Sequence, residues 1–316
     1  MGQARPAYIW LNGDLVSYAD ARVHVLAPVV AYGAAAFEGL RAYWDADAEA
    51  LHVFKLEQHL ERLEQSMRLL SMDPLAELGR VRQGVLDLLE ANGTAEDQHI
   101  RVLAYIDGDE PAMVSTGPVS IVISALPRGR SETAERGQRC CVSSWQRIGD
   151  NVLPPRVKCV ANYQNGRYAL QQARRDGYDS PIFLNDHGRV AEGPGACLFL
   201  VRRGQPITPS VTSDILESIT RETLIQLLRD ELGLATLERE VDRTELYVAD
   251  ELFSCGTGAE ITPIASVDGF AVRKSVPGPL TQALRSLYFD VVRGRTARYA
   301  EWITSVPVQQ PATVGG

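Results

Sequence analysis

The chain has 316 residues, a length that suggests roughly two domains of about 150 residues each and that allows a large core with a buried cleft. Its formal net charge of -8 argues against nucleic acid as the main partner, because phosphate binding draws on a basic surface. No apolar run approaches the roughly 20 residues that cross a bilayer, and the N-terminus lacks a signal-peptide core, so a cytoplasmic protein without membrane contact is expected.

The N-terminal part of the chain alternates predicted strands with helices. Residues 7–16 predict a hairpin with a turn at Asn12-Gly13, and residues 37–56 predict two strands around an acidic turn. Residues 57–72 then predict a helix that is closed by Pro74. Its apolar face consists of residues at helical spacing: Leu60, Leu63, Met67 and Leu70.

A domain boundary is predicted near residue 132. A strand is expected at 119–126, and the polar segment 127–137 after it is punctuated by Gly and Pro, which is typical of a linker. The expected organisation is α/β, with a small α+β domain at 1–132 and a larger α/β domain at 133–305. Residues 306–316 are expected to form a disordered tail.

The larger domain is also predicted to alternate strands with helices. A helix is expected near 163–176, and a second helix, over 220–233, is expected to have Thr220 as its N-cap and Gly233 as its stop. Strands are expected in four places: 140–145, 181–185, 197–201 and 251–255.

Cysteine, histidine and glycine patterns disfavour several kinds of site. The five cysteines are an odd number without CxxC spacing, which is typical of reduced thiols rather than of a zinc site or a disulfide framework. The histidines form no HExxH pair, and the glycines form neither a GxGxxG loop nor a Walker loop. No metal site is expected, and nucleotide binding is disfavoured.

Lys158 lies among apolar neighbours in the stretch RVKCVANYQNG. Burial disfavours the charged form of an amine, and the neutral form is a nucleophile that can attack a carbonyl and form a Schiff base. The alternative is a loop lysine whose stem covers apolar surface while its head stays in solvent.

Three other features are consistent with the chemical interpretation of this lysine. Glu192 follows a predicted strand within the small-residue loop AEGPG, and the start of the helix at residue 220 is an anion site made of unpaired amides. The Gly256-Thr257-Gly258 turn can direct amides and a hydroxyl at phosphate or carboxylate oxygens. With Tyr163, this set suits pyridoxal 5'-phosphate, which needs a lysine, a partner for its ring nitrogen and a phosphate cradle.

The sequence resembles the fold-type IV pyridoxal phosphate enzymes, and most closely the branched-chain amino acid aminotransferases. The resemblance implies the D-amino acid aminotransferase-like fold. The matching stretches span nearly the whole chain in the family's order: YGAAAFEGLRAYW (32–44), HLERL (59–63), SSWQR (143–147), KCVANY (158–163), GYDSPIFLNDHGRVAEGPGACLF (177–199), ESITRETLI (217–225) and ELFSCGTGAEITPI (251–264).

The resemblance implies a role around the cofactor for each matching residue. Lys158 would form the Schiff base with the cofactor and then carry a proton to and from the substrate α-carbon. Glu192 would keep the pyridine nitrogen protonated, and Tyr163 would hydrogen-bond the phenolic oxygen. The phosphate would be held by one side chain and by backbone groups: Arg62, Ile219, Thr220 and Thr257. Without the resemblance, Arg62 would be assigned to an exposed ion pair with Glu61 or Glu64 on its own helix.

The resemblance also implies a substrate pocket. The turn formed by Thr257, Gly258 and Ala259 would bind the substrate carboxylate. An apolar side-chain pocket would be walled by three aromatic residues: Tyr32, Phe37 and Trp145. Arg101 falls where relatives have an arginine near the substrate.

Three departures from the family pattern leave the substrate open. His99 stands where relatives have a tyrosine, Gly258 stands where alanine is usual, and the segment APVVAYG at 27–33 lacks a histidine that is frequent there.

The implied reaction is a ping-pong transamination from an L-amino acid with an apolar, branched-chain type side chain to 2-oxoglutarate. A homodimer or higher homo-oligomer is implied in the same way, with amino acids and 2-oxo acids as small-molecule partners. The alternatives left open are a D-amino acid aminotransferase, an aminodeoxychorismate lyase and a specialised-pathway aminotransferase with a different substrate. A non-catalytic scaffold is a further alternative from another class.

Overall fold

The computed structural model describes residues 5–74, 78–109, 112–130, 132–272 and 275–308. The described residues form two compact units. Unit 1 comprises those of Met1–Gly129, Val157–Ala161 and Asp290–Gly316, and unit 2 comprises those of Arg130–Arg156 and Asn162–Phe289.

The secondary structure mixes helices and strands along the whole chain, in agreement with the expected α/β class. The α-helices are α1 (Pro28–Tyr32), α2 (Leu56–Leu69), α3 (Leu78–Asn92), α4 (Thr133–Arg136), α5 (Tyr163–Arg175), α6 (Ile219–Leu232) and α7 (Pro279–Val292), with 3-10 helices at Arg243–Val248 and Ala297–Trp302. The strands are β1 (Tyr8–Leu11), β2 (Asp14–Ser17), β3 (Ala35–Asp45), β4 (Ala50–Phe54), β5 (Gln98–Ile106), β6 (Val119–Pro127), β7 (Gln138–Val142), β8 (Ser180–Ile182), β9 (Cys197–Arg202), β10 (Gln205–Thr208), β11 (Leu237–Glu238), β12 (Glu251–Gly256), β13 (Glu260–Val267), β14 (Phe270–Ala271) and β15 (Ile303–Pro307).

Unit 1 is built on an antiparallel seven-stranded sheet in the order β15-β4-β3-β5-β6-β1-β2. The predicted hairpin at its edge is confirmed: Leu11 pairs with Asp14, and Asn12 (φ 51) and Gly13 (φ 112) take the positive φ values that such a turn requires. Helix α2 packs its predicted apolar face on the sheet. Its buried Leu60, Leu63 and Met67 each contribute about 1.5–3 kcal/mol through burial.

The C-terminal part of the described chain belongs to unit 1. Strand β15 pairs with β4, from Ile303 opposite Phe54 to Pro307 opposite Ala50, and the last described residue, Val308, is buried. The expected domain at 133–305 therefore differs from the observed division, because this strand pairing holds residues 290–308 in unit 1. The part of the expected disordered tail at 306–308 is ordered for the same reason, and 309–316 lie outside the described residues.

Unit 2 is built on a mixed sheet in the order β11-β10-β9-β12-β13-β7-β8, with β14 paired to β13. Strand β7 begins and ends earlier than the predicted strand at 140–145. It ends at Val142 because the Ser143 hydroxyl accepts a hydrogen bond from Trp145 N at 3.0 Å and turns the chain. Strand β8 is also shorter than predicted, since Phe183 N already bonds to Glu192 O at 2.9 Å, outside the β7 ladder.

Helix α6 begins one residue before the predicted N-cap. Ser218 is extended, and its hydroxyl accepts from Arg221 N at 3.2 Å, so Ser218 is the N-cap and Thr220 lies inside the first turn. The predicted stop at Gly233 is confirmed by its left-handed conformation (φ 65). The apolar face of α6 consists of Leu224, Leu227 and Leu228, which are fully buried.

No helix within the described ranges is long and apolar enough to serve as a membrane span. All five cysteines lie among the described residues, and each carries a free thiol.

Candidate active site

The main chain of Lys158 is fixed against β3 in unit 1. Strand β4 pairs with the second half of β3, and residues 157–161 take the same edge at its first residues. Phe37 N donates to Lys158 O at 2.9 Å, and Val160 N donates to Ala35 O at 2.9 Å. A lysine held by β-type pairing has a fixed Cα position, so its side chain has a defined reach.

A third contact comes from α2, where the buried hydroxyl of Ser66 accepts from Lys158 N at 3.1 Å. The side chain is half-buried, and Nζ lies 4.8 Å from the centre of the Phe37 ring. This placement favours the chemical interpretation of Lys158 over that of a lysine whose head extends into solvent.

Arg62 is buried and pairs with Glu38 rather than with a neighbour on its own helix. Its Nε and Nη2 donate to the two oxygens of Glu38 at 2.7 and 2.8 Å. The alternative partners considered for Arg62, Glu61 and Glu64, are therefore wrong. Strand β3 places the Glu38 carboxylate under α2, where the guanidinium fork meets both carboxylate oxygens at once.

His59 completes this buried cluster, with Nδ1 at 2.7 Å from Glu38 Oε2. Burial alone would raise the pKa of Glu38, but the charge and hydrogen bonds of Arg62, together with those of His59, outweigh it and lower the pKa to about 2. Burial lowers the pKa of His59, so near pH 7 its imidazole is an uncharged donor to the ionised Glu38 and becomes charged only at lower pH. Sequence reasoning missed Glu38 as a site residue, although it lies in the quoted stretch FEGLRAYW.

The remaining predicted residues of unit 1 lie around Phe37 and the end of α1. Arg101, on the neighbouring strand β5, places its guanidinium carbon 4.6 Å from the centre of the half-buried Phe37 ring. Tyr32 is the last residue of α1 and is 44% exposed. Gly33 ends α1 in a left-handed conformation (φ 66), and a Cβ there would lie 3.5 Å from Ala161 Cβ.

His99 lies on β5, opposite Arg41 of β3. Burial, followed by the positive charges of Arg128, Arg41 and Arg101, lowers the pKa of His99 to about 4. The imidazole is consequently neutral near pH 7 and adds no charge to this basic group of side chains.

Glu192 lies buried in unit 2 within an ion pair. Its Oε1 is 2.7 Å from Arg147 Nη2 and accepts from Leu216 N at 3.3 Å, while its Oε2 accepts from the Cys197 thiol at 3.6 Å. Burial and the nearby carboxylate raise the pKa of Cys197 well above its usual value, which keeps this thiol protonated as a donor. Sequence reasoning assigned Arg147 no role, and the quoted motif SSWQR was the signal for it.

Small residues bring the loop after Glu192 against other parts of unit 2. A Cβ at Gly195 would lie 3.7 Å from the Tyr163 ring, and one at Gly256 would lie 3.2 Å from Gly195 O. Tyr163 is the first residue of α5, and a Cβ at Gly166 on the same helix would lie 2.9 Å from Pro194 O. A Cβ at Gly166 would clash with the loop backbone, one at Gly256 would be tight, and one at Gly195 would make an ordinary contact.

The predicted phosphate and carboxylate contacts lie at two backbone features of unit 2. The first helical bond of α6 joins Glu222 N to Ser218 O, so the amides of Ile219 and Thr220 have no acceptor inside the helix. The turn between β12 and β13 carries Thr257, Gly258 and Ala259. It is closed by Thr262 Oγ1, which donates to Ala259 O at 2.6 Å.

Trp145 is 46% exposed and stacks on Tyr168 of α5, with 5.2 Å between the ring centres. The residues present fit pyridoxal phosphate. A half-buried amine and a buried guanidinium lie in unit 1, and a buried carboxylate in an ion pair and a helix N-terminus lie in unit 2.

Comparison with known proteins gives concordant matches over nearly the whole chain. The profile of the family "Amino-transferase class IV" matches residues 35–267. A probable branched-chain-amino-acid aminotransferase of Aquifex aeolicus is 37% identical over 95% of this chain and 96% of its own. The branched-chain-amino-acid aminotransferase of Escherichia coli K12 is 35% identical over 95% and 97%. The crystal structure of the Thermobaculum terrenum branched-chain amino acid aminotransferase in its PLP form is 44% identical, with a TM-score of 0.90, over 96% and 99%.

Proposed function

Since the chain belongs to the class IV aminotransferase family, we propose that it is a pyridoxal 5'-phosphate-dependent branched-chain amino acid aminotransferase. It moves the amino group of an L-amino acid with an apolar side chain to 2-oxoglutarate in a ping-pong reaction. The observation that carries this proposal is the extent of the match, because relatives bearing this activity in their names align with nearly the entire chain, through residues of both units.

Lys158 is the catalytic residue. Bound pyridoxal phosphate supplies an electron sink for the negative charge that develops at the substrate α-carbon. Lys158 would hold the cofactor covalently, and its amine would move the proton at the substrate α-carbon. The backbone contacts to Phe37 and Ser66 support this role, since a proton shuttle needs a fixed origin.

Glu192 binds the ring nitrogen and holds a proton there. A carboxylate can keep a pyridine nitrogen protonated only while it is itself ionised, and the contact to Arg147 supports the ionised form in a buried place. Tyr163 hydrogen-bonds the phenolic oxygen of the cofactor.

The phosphate is bound by one side chain and by backbone groups: Arg62, Ile219, Thr220 and Thr257. The buried Arg62 is supported in this role by Glu38, which fixes the direction of its guanidinium. The amides at the start of α6 supply the anion-binding end of the helix dipole.

The substrate is recognised through its carboxylate and its side chain. Thr257, Gly258 and Ala259 bind the carboxylate. The family resemblance assigns the substrate side chain to Tyr32, Phe37 and Trp145. Within unit 1, Arg101 lies beside Phe37. The substrates are thus small amino acids and 2-oxo acids.

A homodimer or higher homo-oligomer is proposed from the family resemblance. The cytoplasmic location stays a prediction, supported by the five free thiols.

A panel of amino donors with 2-oxoglutarate tests the function, with glutamate formation as the readout. Leucine, isoleucine and valine in the L form should react, and their D forms should not. Lys158→Ala should abolish glutamate formation and the absorption of bound cofactor. The matched control is Lys55→Ala, because Lys55 is another buried lysine of unit 1 whose Nζ lies 4.1 Å from the Trp302 ring. The Lys55→Ala variant should still form glutamate from the amino donor and 2-oxoglutarate.

Three outcomes would contradict the proposal. Activity with D-amino acids alone would indicate a D-amino acid aminotransferase, and pyruvate release from aminodeoxychorismate without amine transfer would indicate a lyase. Near-normal glutamate formation by Lys158→Ala would remove the assignment of the catalytic lysine.

A further inference from the structure

Arg147 is buried in unit 2 and is fixed at both its backbone and its side chain. It follows the turn after β7, and its N donates to Leu184 O at 2.8 Å. Its side chain is 9% exposed. A guanidinium is always charged, so its burial requires partners that compensate for the lost water.

The partners of the Arg147 guanidinium come from separate parts of unit 2. Nη2 lies 2.7 Å from Glu192 Oε1, Nε donates to Asp214 O at 3.3 Å, and Nη1 donates to Asn165 Oδ1 at 3.4 Å. Among these acceptors only Glu192 is a carboxylate side chain, and its contact is the shortest. The two longer bonds fix the plane of the guanidinium, and the short one directs its charge at Glu192.

Glu192 is 3% exposed and would be an unfavourable ion by itself, because burial disfavours a charged carboxylate. The backbone donor Leu216 N, at 3.3 Å, and the thiol donor Cys197, at 3.6 Å, carry no full charge. Arg147 brings a full positive charge into contact with the carboxylate, so it is suited to hold Glu192 in its ionised form.

We propose that Arg147 is a positioning residue that keeps Glu192 ionised and oriented, and thereby controls the protonation of the cofactor's ring nitrogen. This inference rests on the proposed function, in which Glu192 binds that nitrogen. Arg147 acts through Glu192 and needs no contact with substrate or cofactor. Its removal should therefore alter the bound cofactor in the same way as removal of the Glu192 charge.

A double-mutant cycle on the holoenzyme tests this inference with Glu192→Gln, Arg147→Met and the combined variant. The readouts are the pH dependence of the absorption of bound cofactor, the dissociation constant for pyridoxal phosphate and the rate of the first half-reaction with L-leucine. Each single variant should slow the half-reaction by about 10- to 100-fold and shift the pH dependence of the absorption. The combined variant should be hardly slower than Glu192→Gln, because residues that act as one unit are non-additive.

Two further variants separate this role from a purely structural one. Arg147→Lys keeps the charge but loses the planar fork, so it should recover part of the rate and of the absorption behaviour. The matched control is Arg136→Met, which removes an arginine of unit 2 from an exposed ion pair with Asp179 and should leave all three readouts unchanged. If Arg147→Met does not fold, Arg147→Lys takes its place in the cycle, with the same non-additivity expected.

The outcomes are distinguishable. If Glu192→Gln is slow while Arg147→Met behaves as the unaltered protein, or if the two losses simply add, the inference about Arg147 is overturned and the proposed function stands. If Glu192→Gln itself leaves the half-reaction and the absorption unchanged, the role of Glu192 in the proposed function fails, and the inference falls with it.

Discussion

The substitution Glu38→Gln tests the buried cluster of Glu38, Arg62 and His59 in unit 1. The lowering of the pKa of Glu38 from 4.5 to about 2 corresponds to about 3 kcal/mol of stabilisation of the charged form. Removing one partner of a buried ion pair costs about 3–5 kcal/mol for the same physical reason, since the remaining charge is left buried and uncompensated. Both routes predict that Glu38→Gln lowers the free energy of unfolding by about 3 kcal/mol or more. The Arg62 side chain is only 10% exposed, so water cannot replace the lost partner.

The assay is thermal unfolding of the protein without added cofactor, so that ligand binding does not add to the measured stability. At about 2–4 °C per kcal/mol for a unit of this size, the Tm of Glu38→Gln should fall by about 6–12 °C. The matched control is Glu57→Gln, which breaks the exposed pair of Glu57 with Arg82 and should change the stability by less than about 1 kcal/mol. A fall in Tm no larger than that of the control would refute the view that Glu38 compensates a buried cation.

Three further predictions concern acid stability, the α6 cap and the packing of a loop. The pKa values of Glu38 and His59 are both lower in the folded protein, so the unfolded chain binds more protons in acid. The stability should therefore fall as the pH drops below about 6.5, and more steeply between 4.5 and about 2. A Tm that stays flat over this range would contradict the prediction. Ser218→Ala should cost about 1 kcal/mol through loss of the cap on Arg221 N, read as a lower Tm, and an unchanged Tm would show that the cap contributes nothing. Gly256→Ala should destabilise the protein by about 1–3 kcal/mol and raise the dissociation constant for pyridoxal phosphate, because the added Cβ would lie 3.2 Å from Gly195 O. The control Gly129→Ala should change neither quantity, because its Cβ would have nothing within 4 Å.

The features predicted correctly from the sequence are those set by neighbours along the chain. The Asn12-Gly13 turn and the apolar face of α2 follow from local conformational preference and periodicity, and both are confirmed. The sequence predicts Thr220 as the N-cap of α6, but the N-cap is Ser218. Both side chains can cap a helix, and the backbone conformation decides between them. The pairing of β15 with β4 joins residues far apart in sequence, which no local pattern specifies.

In the candidate site, too, local sequence features were predictable and contacts between distant residues were not. Its individual residues could be proposed from motifs, but their partners could not. Glu38 and Arg62 are separated by 24 positions and meet only because α2 packs over β3. Arg147 and Glu192 lie farther apart in sequence and meet through the turn after β7. A sequence motif identifies a candidate site residue, whereas the counter-ion of that residue depends on how the helices and strands pack.

The two buried ion pairs bear on why these charges are buried at all. Replacing a buried ion pair by well-packed apolar side chains is often neutral or stabilising, so stability alone gives little reason for either pair. Preorganisation for ligand binding gives a reason to keep both ion pairs. A charged group that is already desolvated and held in place needs no rearrangement when a charged ligand binds, and its interaction with that ligand is stronger than in water. Glu38 with Arg62 in unit 1 and Arg147 with Glu192 in unit 2 place one cation and one anion in this condition, the charges that a phosphate and a protonated ring nitrogen require. Each unit therefore supports the charge that is proposed to bind the cofactor with a counter-ion from within the same unit.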